Sequence, residues 1–518
     1  MLIPTGSHRT DRLFTPAVVQ LVTALVEHFG ARRLAVLEQG AARRATLRAG
    51  QFSSATSFPA DDWTVDPVPA ALQERRVELV GGGHRKGLIE GMNSGAKSYV
   101  ADLWNMTCNE PGDILRAHKN IEKATDLRLA YINEGGDRIR TNPGSSTRLM
   151  VAPRPLHLID TAMGGPSSTL PASFVDLAIL ACFSAVKQVG RQGGVYLYLH
   201  QVRGQEEARL WADLFAFVEQ HLDLPQGAFR ATVIMDTLAA VLDAEGILYE
   251  LRHHSAGLSL DPQAYAADHI LLFSKPDSPL LPDREQIGFN ATFLRSVSLR
   301  TISICHRRQA HALGAPAFVL PPGSHGPMKP RYLEMIADKE REAVDGHDGT
   351  LVGHPGLVNP AMAEFNKSMP KAHQLYYRPE DRSTPADLVA TPEGELTIEG
   401  LQGCIRTVLR AMVQFRHQGM IIQGGRLHDR SSIRLSTLLL WHWGQHNACV
   451  ITGTGLDINE AVMRYLIKKE GEKLFATEDD PQLQERAQLA AQRLAQAVLL
   501  SEPPPDLMVQ EPILAPRE

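Results

Sequence analysis

Apolar positions in this chain change period repeatedly, and the sharpest change lies in FRATVIMDTLAAVLDAEGILYELRHHSAGLSL, residues 229–260. Ala231 to Met235 is short, apolar and β-rich and stops at a carboxylate, Asp236. The spacing then shifts from two to about 3.6 through Leu238, Val241, Leu242, Leu248 and Leu251, which predicts a buried strand feeding a helix. Similar β-rich runs at Val77–Val80, Ser98–Ala101, Arg148–Val151, Val195–Leu199, His269–Phe273, Ala317–Leu320 and Thr350–Val352 alternate with helical stretches. About eight strands separated by helices predict an α/β fold, a (β/α)₈ barrel; a doubly wound open sheet would need a Gly-rich nucleotide loop. Gly81-Gly82-Gly83 follows a strand without the G-x-G-x-x-G spacing and reads as a flexible turn. In a barrel, an acid at the carboxyl end of a strand, as Asp236 is, stands where ligands and catalytic groups collect.

The flanks carry a helical period instead. Residues 1–70 hold a helix from Val18 to Phe29 and then a polar stretch, an amino-terminal helical clasp; 71–366 form the barrel. Helices expected at Thr397–Gln418, Ser432–Gln445, Asn459–Glu472 and Gln482–Leu499 make 367–500 a carboxyl-terminal helical domain. The Pro-rich end, SEPPPDLMVQEPILAPRE, is expected to be a disordered tail, 501–518.

With 518 residues and 43% hydrophobic content the chain buries a large core. A net charge of −5 with both signs interspersed points away from nucleic acid and membrane surfaces and toward small-molecule substrates. The five cysteines are scattered with no C-x-x-C pair, which fits a reducing cytosol and no structural zinc. No targeting signal and no uninterrupted apolar run of about 18 residues is present, so a cytoplasmic protein is expected. Nothing in the sequence sets an oligomeric state.

Several long blocks then carry a family resemblance. RRVELVGGGHRKGLIEGMNSGAKSYVADL (75–103), EEARLWADLF (206–215), the 229–260 stretch, ICHRRQAHALGA (304–315), DKEREAVDGHDGTLVGHPGLVNPAMAEFN (338–366) and GGRLHDRSSIRLS (424–436) resemble malate synthase of the compact A type, in the same order. The resemblance implies a TIM barrel between a clasp and a helical domain. It also implies Claisen condensation of acetyl-CoA with glyoxylate, assisted by Mg²⁺. Asp429, in Leu427-His428-Asp429, matches the general base that deprotonates the acetyl methyl. The kept block around Asp338 to Gly356 implies CoA-binding contacts at Pro355 and Gly356, and Leu427, beside the base, is a third CoA-binding position.

The acceptor side departs from the pattern. The arginine expected to polarise glyoxylate is Ala152 in VAPRPLHL, leaving Arg154, and the two metal-ligand positions hold Asp236, shorter than glutamate, and Ala264. Asp261 or Asp268 would replace the missing ligand only after a register change. Trp104 and Asn105 stand where the family has acids; Gln201 and Arg203 stand at a lysine and a glutamate. The sharper reading gives Arg203, with His200, the metal's charge and the binding of another acceptor carboxylate, with the retained Arg154 as a further catalytic cation and Asp236 beside His200 on the acceptor. The plainer one pairs Arg203 with Glu206 or Glu207 on the surface. Asp429 and Asp236 also read as helix caps. His253-His254 read as solvated, Cys305 as a core thiol and His347 as a loop-ordering hydrogen bonder. The expected function is therefore condensation of acetyl-CoA or another acyl-CoA with a 2-oxo acid or aldehyde other than glyoxylate, without metal. The alternatives are reversed or hydrolytic acyl-CoA chemistry, true malate synthase and an inactive CoA-binding paralogue.

Overall fold

The structure, a computed structural model, describes residues 11–52, 62–165, 167–323, 330–446, 449–476 and 481–508. The chain divides into two compact units, the first made of residues 1–261 and 296–386 and the second of 262–295 and 387–518.

The first unit is the barrel. Its strands are β1 (Val77–Gly81), β2 (Ser98–Asp102), β3 (Arg148–Ala152), β4 (Val195–Leu199), β5 (Phe229–Met235), β6 (Ser255–Leu260), β7 (Leu313–Ala317) and β8 (Gly349–Val352). They pair in parallel in the order β6-β5-β4-β3-β2-β1-β8-β7. A parallel bridge from Leu258 to Ala312, with Leu258 N donating to His311 O at 2.9 Å, closes the ring. β1, β2, β4, β5, β6 and β8 are buried along their whole length, as strands covered on both faces must be.

Two expected strands are corrected. His269–Phe273 is helical, within Pro262–Phe273, and the sixth strand is Ser255–Leu260 instead. An apolar run of five fits a buried helix as well as a strand, whereas SAGLSL hides its strand behind small residues. The small residue is required: Gly257 has φ +107°, and a Cβ there would lie 2.1 Å from the His311 carbonyl oxygen. The seventh strand starts at Leu313, ahead of the expected Ala317.

Five helices of this unit matter for the site: α1 (Pro16–Arg48), α2 (Arg85–Met92), α3 (Pro111–Thr125), α4 (Ala172–Leu180) and α5 (Gln205–His221). α1 spans 33 residues, well beyond Phe29, and packs on α4 and α5. The run 172–192 has the length and apolarity of a membrane span, yet every residue of α4 is buried, as in a core helix. After β5 the helical period is split at Asp243 into α6 (Leu238–Leu242) and α7 (Ala244–Glu250), and Arg43 of α1 binds that aspartate at 3.0 Å.

The second unit collects α8 (Pro262–Phe273) with α9 (Ile398–Gln418), α10 (Arg430–Gln445), α11 (Glu460–Leu474) and α12 (Pro481–Ala497). Residues 262–295 join it through specific bonds: Tyr265 OH donates to Leu388 O at 2.8 Å, and Asp283 accepts from Thr397 N at 3.0 Å. The four helices expected after residue 396 are present. The stretch 501–508, expected to be disordered, is held: Arg434 donates to Pro504 O at 2.7 Å, and Arg430 pairs with Asp506 at 3.2 Å. Residues 509–518 lie outside the described residues.

A buried charge pair ties the barrel interior together. Arg75, just before β1, donates to Glu78 at 2.7 and 3.1 Å, to Tyr198 OH on β4 at 3.0 Å, to Thr232 Oγ1 on β5 at 3.0 Å and to Ala256 O on β6. Both charged side chains are 0% exposed. Glu78→Ala leaves the guanidinium buried without its counter-charge and should destabilise the protein by about 3–5 kcal/mol. Denaturant unfolding followed by circular dichroism reads this, and a loss under about 1 kcal/mol would contradict the role given to the pair.

Candidate functional site

Parallel strands end together, so the residue at or just after each carboxyl end reaches the same mouth. At consecutive strands these are Asp102 (β2), Ala152 (β3), His200 (β4), Asp236 (β5) and Asp261 (β6). His200 Nε2 lies 2.9 Å from Asp102 Oδ2. Asp102 Oδ1 accepts from the amides of Trp104 at 2.7 Å and Asn105 at 2.8 Å, which fixes the carboxylate. Asp236 Oδ2 accepts from Gln201 N at 2.8 Å and Gln201 Nε2 at 3.1 Å, whereas Asp236 Oδ1 is buried with no partner among the described residues. Gln201 makes its two bonds from a left-handed backbone, φ +56°, a strained conformation for a residue with a side chain.

The charges follow from burial and proximity. Burial alone would lower the His200 pKa, but Asp102, then Asp236 and Asp261, outweigh it and raise it to about 9, so His200 is an imidazolium at neutral pH. Burial raises the Asp236 carboxyl to about 7, with Asp261 adding to the rise and His200 and Gln201 opposing it.

Magnesium does not fit these residues. Among the described residues no three His, Cys, Asp or Glu side chains are grouped to hold a metal ion. Asp102 is already paired with the His200 imidazolium, and magnesium takes oxygen ligands in near-octahedral geometry. Ala264, on α8 of the second unit, has no donor side chain, and Asp268 lies on the same helix.

The other expected site residues sort as follows. Arg154 is spent on structure: its backbone N and guanidinium hold Asp176 of α4 at 2.7–3.2 Å, and Nη2 holds Asp160 at 2.8 Å. His118 of α3 binds the same Asp176 at 2.9 Å, so this arginine locks α3, α4 and the loop after β3 rather than meeting an acceptor. Arg203 is half-buried, with Nη2 3.4 Å from Gln201 Oε1 and its backbone N donating to Glu207 Oε2 at 3.1 Å. Burial raises the Glu207 carboxyl to about 7 against the pull of Arg203, while Glu206 pairs with Arg209 instead. Arg203 therefore stands behind Gln201, one step from Asp236.

In the second unit Asp429 caps α10, its Oδ1 accepting from Ser432 N at 3.0 Å, and it is only 4% exposed. His428 Nδ1 and Arg284 both bind Ser432 Oγ, at 2.7 and 2.8 Å, which holds this turn. Leu427 is buried on a short hairpin strand, and Pro355 and Gly356 open a turn just after β8, capped by His354 Nδ1 accepting from Gly356 N at 3.0 Å. His254, expected to be solvated, is buried and bound to Glu219 at 3.2 Å. Cys305 is buried, which pushes its thiol up, and His347 meets Ser298 Oγ at 2.9 Å.

The sequence reading passed over Asp102 as a functional residue. Its signal was the one used for Asp236, a carboxylate closing a β-rich run, in SYVAD.

Comparison with known proteins agrees with this architecture. Residues 148–391 match the family model described as malate synthase, TIM barrel domain. The malate synthase of Myxococcus xanthus (strain DK1622) is 33% identical over 452 residues, 85% of this chain and 83% of that one. That of Streptomyces clavuligerus is 32% identical over 477 residues, covering 89% and 88%. Malate synthase A of Escherichia coli (strain K12) is 29% identical over 475 residues, covering 90% and 88%. With a relative above 30% identity that is matched over most of its length, the chain belongs to the malate synthase family.

Proposed function

We propose that this member of the family condenses an acyl-CoA, acetyl-CoA first among candidates, with a 2-oxo acid or aldehyde other than glyoxylate, and that His200 supplies the positive charge at the acceptor. The observation that carries this reading is the buried Asp102–His200 pair at 2.9 Å near Asp236, with an alanine, Ala264, at the partner ligand position that the family resemblance implies.

Asp429, at the family's base position, takes a proton from the carbon next to the thioester. That carbon attacks the acceptor carbonyl; a C–C bond forms and the carbonyl π electrons move onto oxygen. The new alkoxide receives a proton from the His200 imidazolium, which the buried Asp102 holds in place. Water then hydrolyses the thioester and free CoA leaves. The neighbouring residues support the same reading: Ala152, at the end of β3, carries no charge where the family resemblance implies an arginine, and Arg203 stands behind Gln201.

Thiol release from acetyl-CoA by the purified protein, run with glyoxylate and with a panel of 2-oxo acids, tests this. Release with a larger 2-oxo acid that survives chelator is expected. Release confined to glyoxylate and abolished by chelator would mean a working magnesium-dependent malate synthase, and silence across the panel would favour a CoA-binding protein. Asp429→Asn should abolish release; an active variant removes the base assignment.

His200→Asn should lower kcat by about 10²–10³, as removal of an oxyanion donor does. Because the folded-state pKa of His200 is raised to about 9, the required cation is present below that value and lost as pH rises through it. A pH–rate profile should fall on an alkaline limb near 9, and Asp102→Asn should move that limb toward the ordinary histidine value of about 6.5. A limb unmoved by Asp102→Asn would contradict the pairing.

A further inference from the structure

The Gly81-Gly82-Gly83 run is not the flexible turn its composition suggests. All three glycines are buried. A Cβ on Gly82 would lie 2.1 Å from the Met106 carbonyl oxygen, and one on Gly83 would lie 2.3 Å from Ala117 Cβ on α3. Gly83 N donates to Thr107 Oγ1 at 3.1 Å, and Asn120 Nδ2 of α3 donates to Gly83 O at 2.9 Å. Glycine here lets the backbone leaving β1 lie directly against α3, which makes a rigid wall.

Beside that wall is a pocket of about 340 Å³ whose lining includes Arg12, Arg85, Arg116, Lys119 and Lys123, and no acidic side chain among the described residues. Arg116, Lys119 and Lys123 fall at i, i+3 and i+7 on α3, one face of the helix, while Ile114, Leu115, His118 and Ile121 are buried. Three of the five cations are balanced from outside the lining: Arg12 by Glu122 at 2.6 Å, Lys119 by Asp11 at 2.5 Å, and Arg116 by Asp113. Arg85 and Lys123 make no ion pair among the described residues. α2 also starts at this point, and its N-cap residue, His84, gives no side-chain cap to the first turn, so the positive end of that helix adds to the field.

We infer that this pocket binds a multiply charged phosphate group. The Arg85 fork matches phosphate oxygens bidentately, Lys123 adds a point charge, the three carboxylate-balanced cations border the same space, and a rigid glycine wall permits close approach. The inference does not depend on the condensation chemistry. The phosphate can come from the tail of a CoA thioester or from a separate phosphorylated small molecule, and the chemistry recognised is the same.

Calorimetric titration of the full chain with pyrophosphate at low salt tests it. Saturable binding is expected, weakened at least about tenfold in Arg85→Gln/Lys123→Gln and weakened by added salt. Neither substituted side chain makes an ion pair, and a circular-dichroism melt checks that the variant is folded. Repeating the titration with saturating CoA or 3′-dephospho-CoA identifies the source. Displacement of pyrophosphate by CoA, weaker for the dephospho form, assigns the pocket to the substrate's own phosphate; undisturbed binding assigns it to a separate ligand. Wild type without saturable binding, or a folded variant that binds as tightly as wild type, overturns the proposal. Thiol release plays no part in this readout, so failure of the condensation reading leaves it standing.

Discussion

A charge inside a barrel of apolar strands is tolerated only beside its opposite, and this constraint shapes both the core and the mouth of the first unit. In the core, Arg75 is matched to Glu78 and held by hydroxyl and carbonyl groups from β4, β5 and β6. At the mouth, His200 is matched to Asp102, and the excess negative charge of Asp236 is reduced by a raised pKa near 7. The same balance that stabilises the fold thus fixes a cation at the mouth of the barrel.

The groups at the carboxyl ends of β2, β4 and β5 hold one another in place. Asp102 is held by two backbone amides, Asp236 by two donors from Gln201, and Gln201 by a strained backbone backed by Arg203. Such strain persists only where the surroundings determine it, and it collects at functional sites. Arg154, by contrast, has been drawn into the scaffold through Asp176 and Asp160, so its retention in the motif reflects packing of α3 and α4. In the second unit the capping bond to Asp429 occupies Oδ1, and a cap orients a carboxylate as well as satisfying a helix end.

The sequence made the barrel legible because its strands are short apolar runs closed by turn or helix signals, and the period change at Met235–Leu238 marks the clearest of them. It misplaced the sixth strand because SAGLSL owes its burial to closeness of backbones, as Gly257 shows, and not to bulky side chains. It read Gly81–Gly83 as mobile for the opposite reason: glycine permits close packing as readily as motion. At the site, residue identity alone placed alanines at 152 and 264 and a histidine at 200, but it could not disclose what His200 pairs with. Asp102 and His200 are 98 residues apart, and only strand order brings them to 2.9 Å. Likewise, nothing in VAPRPLHL discloses that Arg154 belongs to Asp176, which is a matter of helix placement.

The proposed function gives the His200 imidazolium the role of a divalent cation, and direct metal binding tests it most plainly. Electron paramagnetic resonance of Mn²⁺ added to the purified, metal-free protein counts bound ions without reference to turnover. No stoichiometric site is expected in the wild type. One Mn²⁺ per chain bound by the wild type and released by Asp236→Asn would contradict it.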